Sequence, residues 1–372
     1  MKKFFFMMLI LLCGCKDNLS HTSYVINSTA SIMDENTNLS SIVTIKNIIP
    51  LETNDNSVIG NLGKILKVKN RIYVLFNRNT LLVFDEKGKF LQKIGSLGQG
   101  PGEYQMIGDF DVVDDAIYLR DYQKLHQYNL QGEFIRTIPF DVNLFGINVV
   151  GEKILGFVTR DEQVSHVFTL EGDCINKEFP ESKAATIGVS NYYWPYMDTK
   201  YIFPFANSND ALIYDFKKDN YETVKLIDLP DILSLDDINR LYDEKGSIVN
   251  LREYGRIVWP FNSNLSQMFF ITSKGEEKGI LWVKDKILGK DKSFNCEYLI
   301  NDVLFTDIKR FFSGYTRSSN SFLAYIMPYT LKEALSENEK WYSESPYYQK
   351  MKELANSLSD EDNPIIIEYE FK

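Results

Sequence analysis

A set of short apolar segments recurs along this chain at a spacing of 40 to 45 residues, and no other feature narrows the choice of fold as far. Ile72-Tyr73-Val74, Leu82-Val83-Phe84, Gly88-Lys89-Phe90-Leu91 and Ile94 return in the same order as Ile117-Tyr118-Leu119, Tyr128, Gly132-Glu133-Phe134-Ile135 and Ile138. The offset is 45 at the start (117 − 72) and 44 at the glycine (132 − 88). Segments this short, bounded by turn residues and rich in β-branched and aromatic side chains, read as strands. Asp85-Glu86-Lys87-Gly88 and Asn129-Leu130-Gln131-Gly132 each put Gly where a hairpin needs a positive φ. A unit of this length, built of short strands around such a turn, is what one blade of a β-propeller requires.

A third, degraded copy runs through Ile154-Leu155-Gly156-Phe157, Val167-Phe168-Thr169-Leu170 and Gly172. Strand-like spacing continues in Tyr201-Ile202-Phe203, Leu212-Ile213-Tyr214, Met268-Phe269-Phe270-Ile271, Ile280-Leu281-Trp282-Val283 and Phe322-Leu323-Ala324-Tyr325-Ile326. At about 45 to 60 residues per blade, residues 42–372 hold six blades. The last has strands near 310–315, 321–327 and 365–371 and lacks a fourth, which residues 42–51 can supply from the other end of the chain. The expected fold is therefore all-β: a six-bladed β-propeller closed by pairing of its N- and C-terminal strands, which removes the open edges of the ring. Short helical insertions are expected on one face, at about 234–245 and 331–358, where Leu235, Ile238 and Leu241 fall at helical spacing.

Residues 117–134 resemble an NHL-type propeller repeat. Gly98-Gln99-Gly100-Pro101-Gly102-Glu103-Tyr104, Ile49-Pro50-Leu51-Glu52-Thr53 and Asp362-Asn363-Pro364 before a last strand together resemble the bacterial six-bladed β-propeller lipoprotein family. The resemblance covers most of the chain and implies a secreted or surface propeller.

The N-terminus agrees. Lys2-Lys3, an apolar run over residues 4–12 and then Cys13-Gly14-Cys15 describe a secretory signal whose terminal Cys15 is similar to a lipoprotein processing site. The run is far shorter than the roughly 20 residues that span a bilayer. The reading is a signal peptide over 1–14, lipidation at Cys15, a flexible polar tether over 15–41, and a home outside the cytoplasm on the cell envelope. The outer membrane is favoured, with periplasmic or surface orientation left open. Cys174 and Cys296 remain, and their spacing does not decide whether they pair.

The formal charge of −10 and the lack of a basic stripe argue against nucleic acid, whose phosphates demand clustered Lys and Arg. With only His21, His126 and His166 available, a His-rich zinc site is not built, and no cofactor is expected; calcium on carbonyls and carboxylates of a central channel is left open. Gly98–Tyr104 lacks the Gly-Lys-Ser/Thr ending and is followed by a strand, so it reads as a tight turn between blades rather than a phosphate loop.

In an antiparallel four-strand blade, the turn between the second and third strands and the connection to the next blade emerge on the same face of the disc. Candidate ligand residues there are Arg120-Asp121 and Arg160-Asp161, which follow second strands 40 residues apart (160 − 120), and Arg suits bidentate recognition of oxyanions. Inter-blade ion pairing accounts for the same pattern. Trp194, Tyr196 and Trp259 sit in aromatic clusters on what read as inner strands, where rings serve either stacking on a sugar or peptide or the packing of neighbouring blades. The expected function is a binding or interaction module for a glycan, peptide or envelope protein; the alternative is a propeller lyase or hydrolase with a channel site.

Overall fold

Nearly every side chain of Arg71–Phe76 and Thr80–Asp85 is buried, a pattern that a strand with one face in water does not produce. The alternation along Arg71–Phe76 explains it. Ile72, Val74 and Phe76 pack with Ile49, Leu51, Leu323 and Ile366 on one side. Tyr73 and Leu75 pack with Phe110, Val112, Ile117 and Leu119 on the other. Each face of the sheet is thus covered by a different neighbouring sheet, and residue parity decides which neighbour a side chain meets.

The computed structural model describes residues 32–33, 35–158, 165–178, 194–197, 200–204, 208–225, 232–245, 256–262, 266–272, 279–285, 290–305, 314–316, 321–337 and 342–372, and they are mostly β. Its unit is a four-stranded antiparallel meander. The first meander is Leu62–Val68, Arg71–Phe76, Thr80–Asp85 and Phe90–Ile94; the second is Asp109–Val113, Ala116–Asp121, Lys124–Asn129 and Phe134–Pro139. The third takes Leu144–Val150, Lys153–Val158, Ser165–Thr169 and Cys174–Glu178, and the fourth takes Trp194–Met197, Lys200–Pro204, Asp210–Asp215 and Asn220–Lys225. The fifth runs Arg256–Asn262, Ser266–Thr272, Gly279–Asp285 and Lys290–Asn295.

A terminal meander joins both ends of the chain. Gly314–Thr316, Phe322–Ile326 and Ile365–Phe371 are completed by Val43–Pro50, which pairs antiparallel with the last strand from Ile365↔Pro50 to Phe371↔Val43. Gly314–Thr316 also pairs in parallel with Leu62–Val68, so the terminal and first meanders share one eight-stranded sheet.

The same stacking recurs down the chain. Tyr118 packs with Ile147, Val149 and Ile154 between the second and third meanders. Leu155 and Phe157 pack with Leu212 and Tyr214 between the third and fourth. Phe322, Ala324 and Ile326 pack with Leu281, Val283 and Phe294 between the fifth and terminal ones. One glycine contact repeats at three junctions. A Cβ on Gly88 would lie 2.2 Å from the Pro50 carbonyl oxygen and one on Gly172 2.2 Å from that of Pro139, while one on Gly132 would press on Ile94 at 3.3 Å. In each case the hairpin glycine of one meander, held at positive φ, rests on the outermost strand of the meander before it. Val43–Pro50 therefore occupies the position in the terminal meander that Phe134–Pro139 occupies in the second. This is a propeller-like arrangement.

Among the described residues, three α-helices interrupt the sheets: α1 (Leu235–Lys245), α2 (Pro328–Glu337) and α3 (Tyr348–Ser357). Ser234 caps α1 reciprocally. Its hydroxyl accepts from the Asp237 N–H at 3.1 Å and donates to the Asp237 carboxylate at 2.7 Å, while the Ser234 N–H reaches the same carboxylate at 3.2 Å. Leu331 and Leu335 of α2 and Met351 and Ala355 of α3 join the apolar cluster of the fifth and terminal meanders, so what holds these helices is the covering of sheet.

One expectation is corrected. The polar segment 15–41 is not a tether over its whole length, because Ile32–Met33 adds in parallel to the outer strand Lys290–Asn295 and Thr37–Asn38 pairs with Leu299–Ile300. Leu39 is buried, and the Asp302 carboxylate accepts from the Ser40 N–H at 2.8 Å and the Ser40 hydroxyl at 2.5 Å. Pairs of two residues carry no periodic signal, and a single buried Leu among Ser, Asn and Thr does not stand out in sequence.

Candidate functional site

Two carboxylates stand on the first strand of the second meander, both wholly buried. Asp109 accepts from the Ile147 N–H at 2.8 Å and from the Lys64 ammonium at 2.8 Å, and Asp111 accepts from the Val149 N–H at 2.7 Å. Lys64, Asp109 and Ile147 lie on the first strands of three successive meanders, so these acids stitch neighbouring sheets together. Burial pushes the Asp109 carboxyl up from its ordinary range against the pull of Lys64. Its oxygens are occupied by the protein itself, and the pair serves structure. Charged residues at i and i+2 in an otherwise apolar strand, one blade period after Lys64 (109 − 64 = 45), are the signal in sequence that marks them.

The connection between the first and second meanders builds the adjoining surface. Ser96–Leu97 pairs in parallel with Glu103–Tyr104, and Glu103 turns back to accept from the Gly100 N–H at 2.8 Å. Tyr104 is buried and its hydroxyl donates to the Ile94 carbonyl at 3.3 Å; burial raises its pKa to about 12. Tyr128 donates to the Gly102 carbonyl at 2.6 Å. Gly98–Tyr104 is thus a tight turn fastened to two tyrosines, and a strand, Asp109–Val113, follows it.

Of the ligand candidates, Arg120 and Asp121 are buried, only 5% and 4% exposed. The Asp121 carboxylate accepts from the Gln105 and Met106 N–H groups at 3.1 and 3.3 Å and lies 3.6 Å from His126 Nε2. Arg120 runs beneath Gly108, where an added Cβ would fall 1.2 Å from its guanidinium. Arg120 and Asp121 are the last two residues of the strand Ala116–Asp121 rather than residues after it, and Asp121 braces the next connection. Arg160 and Asp161 lie outside the described residues, as does Cys15. Trp194 and Tyr196 belong to Trp194–Met197 and Trp259 to Arg256–Asn262, the first strands of the fourth and fifth meanders; their side chains lie outside what is described.

What the bracing presents to solvent had no signal in the repeat. Asn77, Arg78 and Tyr122 hold φ of 51°, 55° and 51° in the turns between second and third strands, and Arg78 and Tyr122 are exposed. The Ile107 N–H donates to the Arg78 carbonyl at 2.8 Å, so Gln105–Ile107 bridges the two turns. Among the described residues, Val58, Leu97, Tyr122, Phe145 and Tyr329 are large apolar side chains exposed on or beside connections of this one parity. Leu91, Phe134, Ile135 and Ile175 form a second exposed set, on outermost strands.

Both histidines among the described residues, His126 and His166, are buried. His126 Nδ1 lies 3.0 Å from the Thr137 hydroxyl, and the buried His166 lies 3.9 Å from the Cys174 sulfur. Cys174 and Cys296 are both thiols. Among the described residues, no group of three or more His, Cys, Asp or Glu side chains is placed to hold a metal, and no helix is long and apolar enough to cross a membrane.

Comparison with known proteins gives this architecture a family. The model of a domain of unknown function, DUF4934, matches residues 23–370. The chain belongs to the DUF4934 family. No curated protein matches its sequence. Among solved structures, the DUF4934 chain is similar to a protein of Bacteroides fragilis described as exported, with a TM-score of 0.75 at 18% identity over 92% of this chain and 98% of that one. It is also similar to a DUF4221-family protein of Bacteroides vulgatus, with a TM-score of 0.54 at 10% identity over 89% of this chain and 98% of that one. At these identities the likeness is one of fold.

Proposed function

We propose that this DUF4934 protein is a lipid-anchored, extracytoplasmic propeller of six blades, closed by Val43–Pro50, that works as a binding module for a glycan, peptide or envelope protein through one loop-bearing face. Antiparallel pairing of the chain ends, the recurring sheet stacking and the repeated glycine contact support the closed ring. The signal-like N-terminus ending at Cys15 supports the anchor, and the described export of a protein with the same fold agrees with it.

The observation that carries the functional reading is the placing of Val58, Leu97, Tyr122, Phe145 and Tyr329 on connections of one parity. Apolar side chains held in water on well-braced turns are what a recognition surface needs, and aromatic residues dominate such contacts. Photo-crosslinking residues placed at Tyr122 and Tyr329 should trap a partner in the native envelope, whereas the same residues at Asp114 and Gly151, on turns of the opposite parity, should not. Crosslinks arising only from Asp114 and Gly151 would assign the working face to the other side.

A further inference from the structure

Resting on that reading, we infer that Arg78, Tyr122 and Leu97 form the contact site of this face and that its occupant is an acidic peptide segment carrying large apolar side chains.

Position comes first. Arg78 and Tyr122 are one blade period apart (122 − 78 = 44) and hold the equivalent turn in adjacent meanders. The segment 105–107 fastens both: it reaches the Arg78 carbonyl through Ile107 and the carboxylate of Asp121, next to Tyr122, through Gln105 and Met106. Leu97 joins them because it pairs with Tyr104, the residue before Gln105. Leu97 is 52% and Tyr122 50% exposed.

Backbone strain points the same way. At φ near 50° an L side chain crowds its own carbonyl, at a cost of roughly 1–2 kcal/mol per residue, and glycine avoids it. Gly88 and Gly132 hold positive φ in hairpin turns of the opposite face without that cost, while Lys69 and Asp114 bear it there at 54° and 52°. On this face the strained, exposed positions carry Arg and Tyr, which with Trp are the residue types enriched among those that carry binding energy at interfaces.

Charge selects the occupant. Arg78 and the exposed Lys124 present cations, while the acids of this segment are turned to its own backbone, Asp121 to Gln105 and Met106 and Glu103 to Gly100. Exposed Asp55 lies on the connection before the first meander, and exposed Asp141 follows Phe140, whose N–H donates to the Gln123 carbonyl at 2.8 Å, so Asp141 stands near Lys124 and the site relies on Arg78 for its charge. A chain of net charge −10 thus offers a local cationic spot beside apolar Leu97 and Tyr122, complementary to carboxylates alternating with large apolar side chains.

The test uses the full-length protein in detergent and a fluorescent synthetic peptide of alternating Glu and Phe, with a Lys-Phe peptide and neutral oligosaccharides as the other arms. The Glu-Phe peptide should bind, more weakly as salt rises, and Arg78→Gly and Tyr122→Gly should each weaken it at least about tenfold while leaving Tm unchanged or slightly higher, since glycine relieves the strain. Binding of the Lys-Phe peptide or an oligosaccharide in its place, or no binding of the Glu-Phe peptide, overturns the assignment. Binding that survives both glycine variants but is lost on Tyr329→Ala overturns this site while leaving the loop-face reading standing.

Discussion

Asn363 shows how much structure one side chain can hold. Its amide oxygen accepts from the Ile59 N–H at 2.8 Å, and its amide nitrogen donates to the Glu52 and Ser57 carbonyls at 2.6 and 2.7 Å. The two sequence motifs at opposite ends of the chain, Ile49–Thr53 and Asp362–Pro364, are therefore halves of one clamp, a contact that either motif alone does not disclose. With three buried bonds at about 1 kcal/mol each, Asn363→Ala should lose roughly 3 kcal/mol. The urea midpoint should fall with the slope unchanged. His126 sets a pH limit. Burial, working against Asp121, lowers its pKa from the ordinary 6.5, so the folded chain keeps the ring neutral where the unfolded chain takes up a proton. That stability is complete above about pH 6.5 and drains as pH falls through the lowered value. His126→Asn should flatten the acid side of a Tm-against-pH curve, and a curve parallel to the parent's would contradict the assignment. The inward turn of Arg120 and Asp121 was illegible for a plain reason: at the end of a buried strand, a charged pair reads alike whether it meets solvent or the next connection.

Turns and caps are the elements in which sequence and structure agree best. Gly88 and Gly132 were marked by turn chemistry alone, and both hold positive φ. Neighbours, which sequence does not show, set how much each glycine matters. Gly88→Ala would drive a methyl into the Pro50 carbonyl, whereas Gly151, at φ 57°, has nothing within 4 Å of the added carbon. Gly151→Ala should cost only about 1 kcal/mol of backbone strain, while Gly88→Ala should cost several-fold more by thermal unfolding, since it adds a steric clash to the same strain. Equal losses would deny the contact between hairpin and preceding strand. Helix α1 was legible from the helical spacing of Leu235, Ile238 and Leu241, and Ser234→Ala should remove about 1 kcal/mol with its cap. Asp109 and Asp111 stand out as charges in an apolar strand, and Lys64 one period earlier fits Asp109, but the stitches to the third meander were not legible, because those donors are backbone N–H groups 38 residues away and leave no trace in residue identity.

At the scale of the whole molecule, the repeat in the first two meanders and the missing strand of the last were enough to expect residues 42–51 beside the last strand, and the register pairs Val43–Pro50 with Ile365–Phe371. The outward face was less legible, since parity places turns but does not say which side chains the bracing leaves in water. The proposed closure requires the N-terminal strand to be part of the cooperative sheet rather than a docked tail: Lys67 of the first meander and Asn47 of that strand both reach Glu368, at 2.5 and 2.7 Å. Native-state hydrogen exchange on the full-length chain measures this directly. Amides of residues 43–50 should exchange only through global unfolding, with the same free energy as those of residues 72–76; exchange at the rate of a frayed terminus, with residues 72–76 still protected, would contradict the closed ring and the single working face drawn from it.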